Sequence, residues 1–439
     1  MLKAYGQDTI YAPATAVGGA IAVIRVSGPR AGEVKDILSA DVTRRPRMLL
    51  HATVRSGGEV LDDAMAVYFP GPASYTGEDM AELHCHGGFV TVQRVLGALN
   101  GLGFRPAEGG EFTKRAFFNG KMDLSQAEAV MDVVTATAEQ SLRAAVSQLG
   151  GSVSRDIAGA EQVLLDALSG IDAAIDYPEE AEEDAYRDLP GQLDRALAET
   201  DRLLKNGRAG RILRDGLRVV ILGRPNVGKS SLLNALSGED RAIVTPLAGT
   251  TRDTLDSRIA IDGVPVRLVD TAGLRETGDA VERIGVERAR KELDTADLVL
   301  CVLDGACPLT GEDRAVLAEA GTRPHLVILN KCDLGRAAGM PEDAVSVSAV
   351  TGEGLATLRE AIARVAVPQN ADAGLITNER QLDALKRAGD AIRSAREAGE
   401  LECKATDIRT ALHCLGEITG TDVDDMVIDR IFSRFCVGK

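Results

Sequence analysis

The chain has 439 residues, 45% of them hydrophobic and 26% charged, which is enough for two to four domains with cores of their own. Its net charge of -16 at pH 7 excludes broad, nonspecific polyanion binding; any RNA contact must use local basic patches, such as Arg208, Arg211, Arg214 and Arg218, or Arg44, Arg45 and Arg47. No apolar run approaches a membrane span, residues 1–6 lack a signal-peptide core, and seven scattered cysteines suit a reducing cytosol, so a cytoplasmic location is expected.

Residues 1–118 mix short β-type runs, at 20–26 and 65–69, with turns such as Pro70-Gly71-Pro72, an α+β pattern. His84-Cys85-His86 puts two imidazoles on one side of a strand, but no second ligand pair accompanies them and a structural role is expected. From Leu124 the period turns helical. Ala127, Val130, Met131, Val134, Ala138, Leu142, Ala145 and Leu149 share a face until Gly150-Gly151 breaks it. Val163, Leu164, Leu168, Ile171 and Ile175 form a second stripe ending at Tyr177-Pro178. The acidic run 179–184 reads as a solvated turn, and a third helix follows through Leu193, Leu197 and Leu204.

Gly223-Arg224-Pro225-Asn226-Val227-Gly228-Lys229-Ser230 matches a P-loop, with an apolar strand at 217–222 before it and a helix at 231–237 after it. In such a loop successive backbone N–H groups face phosphate, Lys229 meets the β- and γ-phosphates, and the Ser230 hydroxyl suits magnesium. Three further segments follow in order. Gly249-Thr250-Thr251-Arg252-Asp253 suits a switch loop, and Asp270-Thr271-Ala272-Gly273 ends the apolar strand 266–269. Asn330-Lys331-Cys332-Asp333 follows the strand 326–329, and Ser348-Ala349 comes after it. The Asp333 carboxylate can accept from N1–H and the exocyclic amine of guanine, two donors that adenine lacks there. Together these segments specify a GTPase domain over 216–367. The nucleotide contacts they imply are Asn226, Val227, Gly228, Lys229, Ser230 and Ser231, then Gly249, Thr250 and Thr251. Asp270, Thr271, Ala272, Gly273, Asn330, Lys331, Asp333, Ser348 and Ala349 complete the set.

Leu274 stands where Ras-type GTPases carry a water-orienting Gln, so hydrolysis needs another way to hold water and another positive charge. The Asn226 side chain suits a monovalent cation beside the phosphates. Glu282 is either a water-orienting acid or a solvated residue early in a helix, and spacing alone favours the second.

Helical patterning returns after the GTPase domain, through Leu382, Leu385 and Ile392, then Ile408, Leu412 and Leu415, then Val423, Met426, Val427 and Ile431. Helices on both sides of the GTPase domain, each needing a partner for its stripe, are most economically one helical domain with the GTPase inserted; two separate bundles are the alternative. The expected order is 1–118, then helical residues 119–215, the GTPase domain 216–367, and helical residues 368–439. The aromatic tail that ends in Phe435-Cys436-Val437-Gly438-Lys439 is a docking segment, a reactive thiol or neither, and its apolar residues favour docking.

Across nearly its whole length the chain resembles the MnmE (TrmE) family of tRNA-modification GTPases. The resemblance rests on Ile24-Arg25-Val26-Ser27-Gly28-Pro29, Tyr75-Thr76-Gly77-Glu78-Asp79, Glu82-Leu83-His84-Cys85-His86-Gly87-Gly88, Gly110-Glu111-Phe112-Thr113-Lys114-Arg115-Ala116-Phe117, Asn119-Gly120-Lys121, the GTPase motifs and the terminal tail. It implies a multidomain fold: an α+β N-terminal folate-binding and dimerising domain, an all-α helical domain, and an α/β P-loop GTPase domain inserted in the helical one. It further implies folate contacts at Arg25, Glu82, Lys121 and Lys439, for 5-formyl- or 5,10-methylene-tetrahydrofolate. Nucleotide contacts are implied at Thr245, Pro246, Leu247 and Ala248, potassium ligands at Asn226, Thr245, Leu247 and Thr250, magnesium ligands at Ser230 and Thr251, and the water-positioning role at Glu282. Cys436 resembles the family's proposed catalytic thiol. The implied partners are a second copy, the FAD-dependent protein MnmG and tRNA. Val350 for Lys and Val437 for Ile are the departures. The competing expectation is a ribosome-assembly GTPase that switches on RNA without modifying it, although no Gly-x-x-Gly clamping loop stands out.

Overall fold

The computed structural model describes residues 8–238, 256–270, 292–321, 323–366 and 375–439, without the side chains of 178, 180–186, 256–258 and 270. The chain divides into two compact units, one of residues 1–131 with 413–439, the other of residues 132–412.

The first unit is built on a six-stranded sheet in the order β3-β4-β5-β2-β1-β6. Its strands are β1 (Ile10–Pro13), β2 (Ile21–Ser27), β3 (Leu50–Ser56), β4 (Glu59–Phe69), β5 (Met80–His86) and β6 (Arg105–Pro106). Period-2 alternation decides its faces. Ala22, Ile24 and Val26 of β2 and Ala81, Leu83 and Cys85 of β5 turn to a core shared with Val92, Val95 and Leu99 of helix α1 (Phe89–Gly101). Arg25, Glu82 and His84 are left on the opposite face. Burial among these apolar groups pushes the Cys85 thiol up to about 12. His86 bonds through Nδ1 to Asp62 at 2.7 Å, and that carboxylate raises the imidazole above its usual range.

The C-terminal residues complete this unit. Phe432 and Phe435, from and just beyond α12 (Asp425–Phe432), pack with Phe117 of α2 (Glu111–Phe118) and Leu124 of α3 (Leu124–Thr135). Ring centroids lie 6.4 Å apart for Phe117–Phe432 and 5.2 Å apart for Phe432–Phe435, within the range of favourable tilted pairs. The tail then bridges antiparallel to Gly109 through Val437, and the Phe112 N–H donates to the Lys439 carbonyl at 3.2 Å. Ile428 and Phe432 are the buried residues of α12, whereas Met426, placed on the apolar stripe by sequence, is 75% exposed.

In the second unit α4 (Glu139–Leu149), α5 (Ser152–Asp176) and α6 (Pro178–Asp215) precede a second six-stranded sheet. The buried residues of α5 are Val153, Ile157, Ala160, Leu164, Ala167, Ile171 and Ala174, alternating steps of four and three. That is a heptad seam, and α6 answers it with Leu189, Leu193, Ala196, Thr200 and Leu203. Each fully buried Leu or Ile here contributes about 1.5–3 kcal/mol. Leu197 and Leu204 are only half-buried, because their neighbours Ala196 and Leu203 hold the seam positions. The acidic run 179–184 is not a turn but the first part of α6, with Pro178 at its first position; a preset φ and acidic side chains both suit a helix start. Residues 136–138 interrupt the helix between α3 and α4, which resets the face, so Val134 and Leu142 are 44% and 42% exposed.

The second sheet runs β12-β11-β10-β7-β9-β8, from β7 (Leu217–Leu222), β8 (Asp256–Ile261), β9 (Val264–Asp270), β10 (Leu298–Asp304), β11 (His325–Asn330) and β12 (Val345–Ser346). All neighbours are parallel except β8–β9. Its central strands are apolar on both faces. Val219, Ile221, Leu298 and Leu300 enter one core, with Leu232 of α7 (Lys229–Ser237), while Val220, Leu222, Val299 and Cys301 enter another. Helices α8 (Gly311–Ala320) and α9 (Leu355–Ala366) follow β10 and β12. After the last strand come α10 (Glu379–Glu397) and α11 (Leu401–Thr419). Residues 375–378 and α10 lie so close to α6 that a Cβ at Gly210 would stand 2.1 Å from the Ile376 carbonyl oxygen. Gly210→Ala is therefore expected to destabilise the second unit by about 1–3 kcal/mol through overpacking against rigid backbone, read as a lower urea midpoint.

Candidate functional site

The carboxyl ends of the parallel strands gather the P-loop residues. Leu222 leads into the loop 223–228, β10 ends at Asp304, β11 at Asn330, and β12 at Ser346 just before Ser348-Ala349. Chain direction alone does this, since every strand of a parallel sheet presents its end at the same edge. Asn226 and Gly228 adopt left-handed backbone angles, φ 65° and 93°, and α7 starts at Lys229, so its unpaired amide N–H groups point into the loop.

Lys229 is 8% exposed, and its ammonium donates to the carbonyls of Gly223 and Arg224, both at 2.9 Å. A cation held inside a ring of backbone dipoles is set to meet phosphate oxygens. Asn330, 2% exposed, ties the two halves of the site together. Its Nδ2 donates to the Val227 carbonyl at 2.8 Å, and its Oδ1 accepts from the Ala349 N–H at 3.1 Å. A Cβ on Gly228 would lie 2.3 Å from that Nδ2, so no side chain fits between loop and amide. Lys331 donates to the Asn226 carbonyl at 3.0 Å and pairs with Asp304 at 2.7 Å. Burial raises the Asp304 carboxyl, but the Lys331 ammonium and the Ala306 N–H outweigh it and hold the group below the ordinary carboxylate range. Asp333 is exposed, and the Ser348 hydroxyl accepts from the Thr351 N–H.

Val227, Ser230 and Ser231 also lie on the loop and the first turn of α7. Thr245, Pro246, Leu247, Ala248, Gly249, Thr250, Thr251, Thr271, Ala272, Gly273, Leu274 and Glu282 lie outside the described residues; Asp270 is described by its backbone alone. Two supports carried no motif. Asp304 stands in register with Asn330 across β10–β11, and Arg224 pairs with Asp313 at 3.1 Å, where Asp313 also closes a capping box with Thr310. Position at a strand end was the available signal for Asp304; Asp313 had only its Thr-x-x-Asp spacing.

In the first unit Arg25 and Glu82 are cross-strand partners joined at 3.0 Å, with 19% and 17% of their side chains exposed. The Arg25 guanidinium lies 5.1 Å from the Tyr75 ring centroid and 5.7 Å from that of Phe112. Tyr75 bonds to the Thr113 hydroxyl at 2.8 Å, and Phe112 carries the backbone bond to Lys439. Lys121 donates to the Pro72 carbonyl at 3.0 Å, on the loop that also bears Tyr75. One chain of contacts thus links Arg25 with Glu82, Phe112 and Lys439. Half-exposed Cys436 offers its carbonyl to the Gly110 N–H at 3.3 Å. Beneath lies Arg115, 1% exposed, paired with Asp8, Glu78 and Glu111 at 2.8–3.2 Å. Burial raises Glu111, and hydrogen bonds from Arg105, the Glu108 N–H and Arg115 bring it below its ordinary range.

Residues 124–436 match the family model described as the MnmE helical domain, and residues 9–121 that of the GTP-binding protein TrmE N-terminus. The tRNA modification GTPase MnmE of Symbiobacterium thermophilum is 44% identical over 458 residues, covering 99% of this chain and 100% of that protein. The one from Akkermansia muciniphila is 45% identical over 448 residues, covering 99% of each. The chain belongs to the MnmE family of tRNA modification GTPases. It is a GTP hydrolase that acts in tRNA modification, with GTP as its substrate. Because the helical-domain match runs through the P-loop sheet, the α/β domain is inserted within the helical one. Among solved structures, the G domain of the T. maritima FeoB iron transporter is 30% identical, covers 34% of this chain and 99% of that one, and has a TM-score of 0.26. Among the described residues no helix is long and apolar enough to cross a membrane.

Asn330→Ala removes both bonds that close the nucleotide site. Their loss is expected to lower stability by about 2–4 kcal/mol, and affinity for a fluorescent guanine nucleotide at least about tenfold, with Asn330→Asp, which retains the acceptor for Ala349, lying between. Urea unfolding and fluorescence titration measure the two effects.

Proposed function

We propose that this MnmE-family GTPase is a potassium-activated homodimer that works with the FAD-dependent protein MnmG. Together they add an aminomethyl or carboxymethylaminomethyl group to C5 of the wobble uridine of tRNA, drawing a one-carbon unit from 5-formyl- or 5,10-methylene-tetrahydrofolate. The observation that carries the reading is the buried Asn330 amide, which closes a P-loop cradle around Lys229 at the carboxyl edge of the sheet.

In this reading Lys229 and the loop N–H groups of 226–231 take the phosphates, and Asp333 with the 348–349 segment takes guanine. Residues 245–251 and 270–273 form the switches, and Glu282 orients the attacking water in place of the Gln that Leu274 replaces. Magnesium at Ser230 and Thr251, and potassium at Asn226, Thr245, Leu247 and Thr250, supply positive charge to the phosphates when bound. Hydrolysis drives association and release of the two GTPase domains, not the carbon chemistry.

The domains we assign are 1–118 for folate binding and dimerisation, 119–215 and 368–439 as the helical domain, and 216–367 for GTP. Glu82, held by Arg25 at 3.0 Å, supplies an acceptor for the pterin ring of the folate, and Lys121 and Lys439 supply cations for its glutamate tail. The residues fit such a ligand: cations for an anionic tail, a carboxylate acceptor at Glu82 and aromatic rings at Tyr75 and Phe112. Cys436, on the tail whose Lys439 carbonyl accepts from the Phe112 N–H, takes the place of the family's proposed catalytic thiol.

GTP hydrolysis is expected to be much faster in K⁺ than in Na⁺, because the smaller ion fits the Asn226 loop poorly; equal turnover in the two salts, measured by phosphate release, removes the cation mechanism. Mass spectrometry of tRNA nucleosides tests the modification. A strain lacking the gene should lose the C5 group on its wobble uridines, the wild-type gene should restore it, and Cys436→Ser should not. Intact wobble uridines alongside defective ribosomal particles would instead make the protein a ribosome-assembly switch.

A further inference from the structure

Helix α6 carries Arg202, Lys205, Arg208, Arg211 and Arg214 at every third residue, and no acidic residue interrupts that stretch. In a chain of net charge -16 five cations within thirteen residues need an explanation. Internal structure accounts for three of them. Arg202 pairs with Glu199 and Asp156, Arg211 with Asp297 at 2.6 Å, and Arg214 with Asp132 at 3.2 Å. Lys205 and Arg208 are exposed and make no ion pair among the described residues.

Between α6 and α10 lies a groove of about 290 Å³, lined by Leu204, Arg208, Arg211, Leu382, Asp383 and Lys386. Lys386 is exposed and, like Arg208, has no ion-pair partner among the described residues. The one carboxylate of the lining, Asp383, is engaged by Arg387 at 3.0 Å. Asp297 takes a terminal nitrogen of Arg211, and a guanidinium has five N–H donors, so part of that fork remains for a ligand. Two leucines wall the groove, which lowers the local dielectric and strengthens attraction between its cations and an anion.

We propose that this groove binds the phosphate backbone of tRNA, with Arg208 and Lys386 as the principal contacts and Arg211 as a third. Guanidinium forks match phosphate oxygens two at a time, whereas the stacked bases of a duplex give nothing to such a short, basic, aromatic-free cleft. The chain's overall negative charge requires that attraction of a polyanion be local, and here Arg208, Arg211 and Lys386 line one groove. The inference rests on the family's action on tRNA.

The test uses the full chain and an unmodified tRNA transcript, with fluorescence anisotropy over a series of KCl concentrations. Replacing two phosphate contacts in Arg208→Ala/Lys386→Ala should weaken binding about tenfold or more and flatten the log K against log[salt] slope by about 1.4–1.8. Arg409→Ala, which removes a cation of α11 paired with Asp172 of α5, should bind as the parent does. A double variant with the parental affinity and slope overturns the proposal, as does an equal loss in Arg409→Ala, which would make the effect one of diffuse charge. Polyglutamate displacing the transcript at equal charge concentration also overturns it, in favour of an acidic protein segment. Should the double variant lack a thermal transition, Lys386→Gln alone decides by the same criteria, with a slope change of about 0.7–0.9. Guanine-nucleotide binding in the same samples separates the two readings: its absence removes the GTPase assignment and leaves the tRNA result to stand by itself.

Discussion

The nucleotide site depends on one buried amide. Asn330 has a donor and an acceptor pointing in different directions, and it spends the donor on the P-loop and the acceptor on the segment after β12. Neither Asp nor Ser satisfies both, because the carboxylate has no N–H to give and the hydroxyl is too short to span two chains. The tightness of the Gly228 approach follows from this bond. So does the position of Lys331, which is carried beside Asn226 by its neighbour. The unsatisfied polar groups that a vacant Asn330 position would leave are more costly than the bonds are strong, so the amide acts chiefly as a specification of geometry.

Within the second unit the helical segments are joined to the sheet by polar bonds at its periphery. Gln140 of α4 donates to the Asp262 carbonyl in the β8–β9 turn at 2.9 Å, and the Ser141 hydroxyl donates to the Leu213 carbonyl of α6. Asp297, 8% exposed, accepts from Arg211 through one oxygen and from the Arg218 N–H through the other, so the end of α6 and the start of β7 share a carboxylate. Charge-assisted bonds to a nearly buried carboxylate are among the stronger polar contacts available, and these hold the entry to the P-loop strand. A second shared group lies at Asp132, which meets both Arg214 and Thr377.

The strand–loop–helix of the P-loop was legible because three requirements coincide in one short stretch: an apolar strand buried on both faces, backbone angles that favour Gly and Asn, and a helix start. Cross-strand pairing of Arg25 and Glu82 was not legible. Fifty-seven residues separate them, and only the antiparallel register of β2 and β5 brings them together. The helical stripes were seen in kind but misplaced in phase. Sequence favours Leu142, Leu197 and Met426 as core, yet Ser141, Ala144 and Ala145 take the buried positions of α4, Leu193, Ala196 and Thr200 those of α6 near Leu197, and Ile428 and Phe432 those of α12.

By itself the sequence determined the chemistry: the phosphate loop, the Asn-Lys-x-Asp segment and the acidic balance are all written in residue type and short spacing. Tertiary structure alone decided which distant groups meet. The tail 433–439 is bound to the first unit by Phe432, Phe435 and backbone bonds at Gly110 and Phe112, and the cations of α6 face Lys386 across a groove. Local propensity acts over a few residues, whereas these meetings are selected by apolar burial and polar satisfaction summed over the whole chain, which no short window contains.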